Sequence, residues 1–282
     1  MGNVAIVTDS ACDLTPEVAA AAGIDLVPLL VRFGDEERKA HVELGLDAFY
    51  DRLLAPGAPF PSTAACSPGE IEAIVRRRLD EGAEGVVVLT VGSRLSATHA
   101  AALLAREALG SAPVHVVDSA SATMCQGLLA LLGAEAAAAG ERADAIARLL
   151  EARRADTRLL VMLETLEYLK RGGRISPARA AIGSVLSVKP IITIDDGVVE
   201  TVDKPRTSAR ARARLLELAG ELSVERLAVV HARSPEVDAF RTDLLAVTQA
   251  DPARTLTALV GPSIAPHSGP GALGFAALLR RS

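Results

Sequence analysis

Through its first half the chain alternates short β-branched runs with longer segments rich in alanine and leucine. Residues 4–8 (VAIVT) form an unbroken run of strand length, followed by Asp13 as an expected N-cap and a helix over 15–22 that stops at Gly23. Residues 26–33 read as a second strand interrupted by Pro28, hence an edge or irregular piece. A short helix over 46–54 ends before Pro56-Gly57, and 56–68 reads as a loop rich in Pro, Ser and Ala. Ser67-Pro68-Gly69-Glu70 places proline in a first turn and Glu three residues after Ser, a capping box opening a helix over 71–81. The run GVVVLTV over 85–91 is the clearest strand. A helix over 95–109, a strand over 114–117 and helices over 122–139 and 143–155 follow. Alternation of this kind implies right-handed crossovers and a mostly parallel sheet.

Beyond Thr157 the texture changes. A strand over 159–163 leads to a short helical piece through Lys170. Residues 190–194 and 198–202 read as a hairpin around Asp195-Asp196-Gly197. A helix over 207–218 is basic at Arg206, Arg210, Arg212 and Arg214. Then come a strand over 227–231, a helix over 235–247 and a last clear strand over 255–260. The expectation is an α/β chain of two domains: an N-terminal mostly parallel sheet with flanking helices in 1–158, and a C-terminal mixed α/β domain in 159–282. A length of 282 residues suits that number.

Composition narrows the function. Half of the residues are hydrophobic and 23% charged, which supports a sizeable core and excludes intrinsic disorder. Aromatics amount to 2%, with no Trp, and the net charge is −5, so a stacking or phosphate-tracking nucleic-acid reader is not expected. Cys12, Cys66 and Cys125 are too widely spaced for a zinc site or a disulfide framework, and a reducing compartment fits them best. The apolar run 127–140 is broken by Glu135 and falls short of a membrane span, and no basic leader precedes the first strand. The protein is expected to be cytoplasmic, without an integral membrane segment. A P-loop, a G-x-S-x-G elbow and metal-ligand spacing among the five histidines are all lacking.

Chemistry gathers after the strands. Thr8-Asp9-Ser10, Gly92-Ser93 and Asp118-Ser119-Ala120-Ser121 each follow an expected parallel strand, where ligands of open α/β sheets bind. Thr63 in the long loop and Ser96 at the next helix could join them, to hold a carboxylate or phosphate with neutral donors. Taken singly, each Ser or Thr after a strand reads first as a turn or helix cap, and Asp9 and Asp118 read likewise as caps of neighbouring helices; it is their combination on one rim that points to a ligand. In residues 166–176, Gly172-Gly173 permits a tight turn or close approach, and Arg174 offers a fork of donors. Alone, that pair is a helix stop and a solvated charge. His267-Ser268-Gly269-Pro270-Gly271 is expected to fix an imidazole in a rigid, non-helical loop. The same groups allow an enzymatic alternative, a hydrolase or phosphotransfer protein with Ser96 or Thr63 as nucleophile and His267 as base.

In this order the segments resemble the bacterial DegV family, which includes the fatty-acid-binding subunits of fatty acid kinase. The match runs through Thr8-Asp9-Ser10 with Asp13-Leu14, residues 63–68, Ser93-Arg94-Leu95-Ser96-Ala97-Thr98, Asp118-Ser119, residues 166–176, Lys189-Pro190-Ile191-Ile192 and His267-Ser268-Gly269-Pro270-Gly271. The resemblance implies a non-enzymatic carrier without a cofactor, burying a long-chain fatty acid between two α/β domains. It implies that hydroxyls at Thr63 and in the Ser93/Ser96 segment hold the carboxylate, with Arg174 and His267 nearby. It further implies presentation of that carboxylate to a separate kinase catalytic subunit, which forms an acyl phosphate, with Arg206 at a position that contacts the kinase. The chain departs from the family's usual Thr-Ser-Gln-Pro-Ser at Thr63-Ala64-Ala65-Cys66-Ser67, from Leu-Ser-Gly-Thr at Leu95-Ser96-Ala97-Thr98, and carries Gly92 where Ser is common. Ser93 and Ser96 both stay open as the direct ligand. Burying about fourteen methylenes at ~0.8 kcal/mol each contributes on the order of 11 kcal/mol before ordering costs. The tail would then supply affinity and the head group register, in a tunnel walled by Ala, Leu, Val and Ile.

Overall fold

The computed structural model describes residues 3–175 and 188–281; Ser176, the last residue of one motif above, lies outside them. The first apolar run becomes strand β1 (Val4–Asp9). Helix α1 (Pro16–Ala21) is capped by Thr15, whose hydroxyl accepts from the Val18 N–H, rather than by Asp13. Asp13 instead adopts φ 54° and turns its carboxylate inward, to Thr123 and Gly261. Pro28 splits the second strand between two sheets. β2 (Ile24–Val27) pairs with β1, while β3 (Leu30–Phe33) joins a separate sheet with β4 (Glu36–Lys39) and β5 (Ser62–Ala64), in the order β4-β3-β5. The expected 56–68 loop therefore carries a three-residue strand, too short for any periodicity to reveal.

Helix α2 (Leu46–Leu54) precedes β5, and α3 (Pro68–Asp80) opens with the Ser67/Glu70 capping box. Strand β6 (Gly85–Thr90), helix α4 (Thr98–Ala108) and strand β7 (Val114–Asp118) follow. The four-stranded sheet runs β2-β1-β6-β7 with every neighbouring pair parallel. Helix α4 begins later than the expected position 95, because the N–H groups of Leu95 and Ser96 both fold back onto the Gly92 carbonyl. Helix α5 (Thr123–Ala138) is apolar on every side because it packs against both β1 and strands of the second sheet; α6 (Ala143–Arg153) covers β7.

The second sheet takes β8 (Thr157–Met162) and then, after helix α7 (Glu167–Arg171), the hairpin β9 (Ile191–Asp195) and β10 (Val198–Asp203). Helix α8 (Ser208–Gly220), strand β11 (Val224–His231), helix α9 (Val237–Thr248), strand β12 (Leu256–Leu259), the single turn α10 (Ala265–Ser268) and strand β13 (Leu273–Leu279) complete it. Its order is β10-β9-β8-β13-β11-β12, antiparallel except between β11 and β12. Strand alternation divides its faces. Leu160, Met162, Ile191, Val229 and Phe275 pack with Leu215, Phe240 and Leu244 of α8 and α9, whereas Leu159, Val161, Ile192 and Val230 join the core containing α5.

Candidate functional site

That second face is one wall of a cavity with about 820 Å³ of empty space, part of it open to solvent. Leu159, Val161, Ile192, Ile194 and Val230 line it from the six-stranded sheet. Opposite them stand Ala11, Leu29, Val91 and Ala122, one residue from the segment following each of the four parallel strands, packed as a small cluster of their own. The carboxyl ends of the parallel strands thus face the cavity, but with aliphatic groups. Three of the hydroxyls expected there are used elsewhere. Thr8 donates to the Leu89 carbonyl, Ser10 pairs with Ser263 at 2.7 Å, and Ser119 donates to the Ser121 carbonyl. Two backbone carbonyls and the Ser263 hydroxyl take them up. No aromatic side chain lines the cavity among the described residues.

One end is polar. Thr63, Ser96, Arg174, His267 and Ser268 all line the cavity. Thr63 is set by β5, opposite Val31, and its Oγ1 lies 2.8 Å from His267 Nε2. His267 sits on a helical turn rather than in a non-helical loop: Pro266 opens α10 and Gly269, at φ 73°, closes it. The imidazole is 9% exposed, and burial, aided by the nearby Arg174 charge, pushes its pKa down to about 3, so it is neutral at physiological pH. Its Nδ1 is buried and has no hydrogen-bond partner among the described residues. A bare lone pair costs less to bury than an orphaned N–H, which favours the Nε2–H tautomer. Nε2–H then donates to Thr63, leaving the Thr63 hydroxyl hydrogen for a ligand.

The two glycine motifs explain each other. A Cβ on Gly172 would fall 2.2 Å from His267 Nδ1, and one on Gly269 would fall 2.5 Å from the Tyr168 ring. Only bare backbone lets the α7 and α10 segments meet this closely. Arg174, just past that point, donates from Nε to the Leu95 carbonyl (3.1 Å) and from Nη1 to the Gly172 carbonyl (2.6 Å). It is half-buried, desolvation lowers its pKa, and among the described residues no acidic side chain pairs with it.

The serine pair separates. Ser96 lines the cavity, accepting from the Thr98 N–H and lying 2.9 Å from the Thr98 hydroxyl. Ser93 is exposed and lies off the cavity lining; its N–H donates to Asp118. Arg206 is exposed beside Thr207, the N-cap of α8, and is likewise not part of the lining. Thr123, Ser263 and Ser268 line the cavity and were missed. The Ser268 position, directly after His267, is the one signal that could have marked it. The three cysteines are free and buried; among the described residues no metal-binding cluster occurs and no helix is long and apolar enough to cross a membrane.

The family model described as "Uncharacterised protein, DegV family" matches residues 3–280. A DegV domain-containing protein of Streptomyces coelicolor is 38% identical over 96% of this chain and 97% of its own length. The DegV protein of Bacillus subtilis is 31% identical over 97% and 98%. Among solved structures, a DegV family protein from Thermus thermophilus, described by its fatty acid binding, superposes with a TM-score of 0.88 at 31% identity, covering 99% of this chain and 100% of the other. The crystal structure of DegV from Bacillus subtilis, described as a fatty acid binding protein, gives 0.86 at 30% identity with the same coverage.

Proposed function

The chain belongs to the DegV family, and from that premise and the polar end of the cavity we propose that it is a carrier for a long-chain fatty acid. The observation that carries this reading is Arg174. A half-buried guanidinium with no acidic partner among the described residues, at the polar end of an aliphatic cavity, calls for an anionic head on an apolar tail. In this reading Thr63 and Ser96 donate to the carboxylate, Arg174 neutralises it and His267 orients Thr63. Ser93 contributes through its backbone bond to Asp118, which steadies the loop bearing Ser96. Residues 1–158 and 159–282 act as two domains enclosing the tail. The carrier works in the cytoplasm, without a cofactor, and presents the carboxylate to a separate fatty acid kinase catalytic subunit that forms the acyl phosphate. Arg206, exposed on the surface, contacts that subunit.

The 2.8 Å Thr63–His267 contact alone would suit a nucleophile and its base. An imidazole with a pKa of about 3 and no third group on Nδ1 is poorly suited to take a proton at neutral pH. Extraction of the purified protein with organic solvent and mass spectrometry tests the carrier reading. Near-stoichiometric long-chain fatty acid is expected, with no turnover of p-nitrophenyl acyl esters. A protein that carries none and takes up none when it is supplied, or one that hydrolyses the esters, overturns it.

A further inference from the structure

Aromatic side chains are rare here, with two Tyr and five Phe, and Phe33, Phe49 and Tyr50 are buried together in the core. Phe60 and Tyr168 are different. Both are only partly buried, yet their ring centroids lie 5.1 Å apart with planes inclined at 37°. The Arg171 guanidinium stands 5.0 Å from the Phe60 centroid, and Arg171 Nε is paired with Glu167 at 2.7 Å on the same short helix. Tyr168 also carries the close backbone approach of Gly269.

Each partner of this contact is tied to one half of the Thr63–His267 pair. Phe60 lies three residues before Thr63, between Pro59 and Pro61, whose rings fix the local backbone. Thr63 is then held by pairing with β3. Gly269 lies two residues after His267 and ends its helical turn. The Tyr168 carbonyl accepts the N–H of Gly172, the residue against which His267 Nδ1 rests. Thr63 and His267 are 204 positions apart, one on β5 of the three-stranded sheet and the other on the helical turn α10 between β12 and β13. A lone hydrogen bond contributes little to fixing two such segments, whereas a tilted aromatic contact between the same two segments restrains both.

We infer that Phe60 and Tyr168 are positioning residues for the head group: their contact sets the spacing of Thr63 and His267, and through it the preference of the cavity for a carboxylate. This rests on the fatty-acid reading above. It concerns the head group alone, so the tail should not sense it.

Binding of palmitate and of 1-hexadecanol, the same chain without a carboxylate, separates the possibilities. The wild-type protein should bind the acid more tightly than the alcohol. Phe60→Ala and Tyr168→Ala should each weaken acid binding about five- to tenfold and change alcohol binding by less than about twofold. Tyr168→Phe and Phe60→Tyr, which keep the rings in contact, should bind like wild type. Phe60→Leu and Tyr168→Leu retain bulk if the alanine variants do not fold, and should lower the acid-to-alcohol ratio about two- to fivefold. Equal losses for both ligands, or an unchanged ratio in the variants that fold, overturns the positioning role. A wild type that binds no palmitate, or prefers the alcohol, overturns the fatty-acid reading itself and this inference with it, before any variant is compared.

Discussion

Asp13 is buried at φ 54°, and its carboxylate accepts the Thr123 hydroxyl at 2.5 Å and the Gly261 N–H at 2.8 Å. Loss of hydration outweighs both bonds and raises its pKa from 3.8 to about 7; Asp9 is raised the same way, to about 6. The native state therefore binds the Asp13 proton more tightly than the unfolded chain. Its contribution to stability is complete below the unfolded value of 3.8 and is lost as the pH rises through about 7. In Asp13→Asn the amide oxygen can accept from Gly261 and the NH2 can donate to Thr123, without a charge to desolvate. That variant should therefore gain on wild type in urea unfolding between about pH 5 and about pH 8. A constant difference across that range removes the burial account. His267 runs the other way. Its contribution is full above 6.5 and lost as the pH falls toward about 3, so at neutral pH Arg174 is the one cation lining the polar end of the cavity among the described residues.

The two adjacent glycines after α7 separate what a site needs from what a chain needs. Gly173 has φ 70° with open space around its Cα, whereas Gly172 has ordinary dihedrals but leaves no room for a Cβ beside His267. Gly173→Ala should cost about 1 kcal/mol of stability and leave palmitate binding near wild type. Gly172→Ala should push the imidazole off Thr63, weakening palmitate binding at least about tenfold at a stability cost of ~1–3 kcal/mol. Calorimetry and binding measured on both variants decide this, and equal binding losses would refute it. Elements with strong local signals were legible in the sequence: the Ser67/Glu70 capping box, the β6 run and the Asp196-Gly197 turn all stand where their residues predict. What stayed hidden depends on partners distant in the chain. β13 escaped because its Ala- and Leu-rich run has helical propensity, overridden by pairing with β8 and β11 on its two sides. The Thr8 and Ser10 hydroxyls were misjudged because the backbone groups and the serine that engage them lie on other elements.

For the whole molecule, a cavity lying between the face of one sheet and the strand ends of another makes ligand length measurable. Every methylene that passes from water into aliphatic walls adds about 0.8 kcal/mol, so affinity should rise about fourfold per carbon while the tail still has wall to cover. Once the tail has no more wall to cover, the gain should stop. Leu159 and Val161 line the same face of β8, with Leu163 continuing it toward α7 and the polar end. At about 3.3 Å per residue, Leu159 lies roughly 13 Å along the chain from Leu163, at the end remote from Arg174. Leu159→Phe should therefore shorten the far end without touching the head group. Dissociation constants of saturated fatty acids of increasing length should fall steadily and then level, and the break should move to shorter chains in Leu159→Phe while short-chain affinity is retained. A series with no dependence on length would mean that the tail is not buried. A break that stays in place in the variant would mean that the tail does not run along β8.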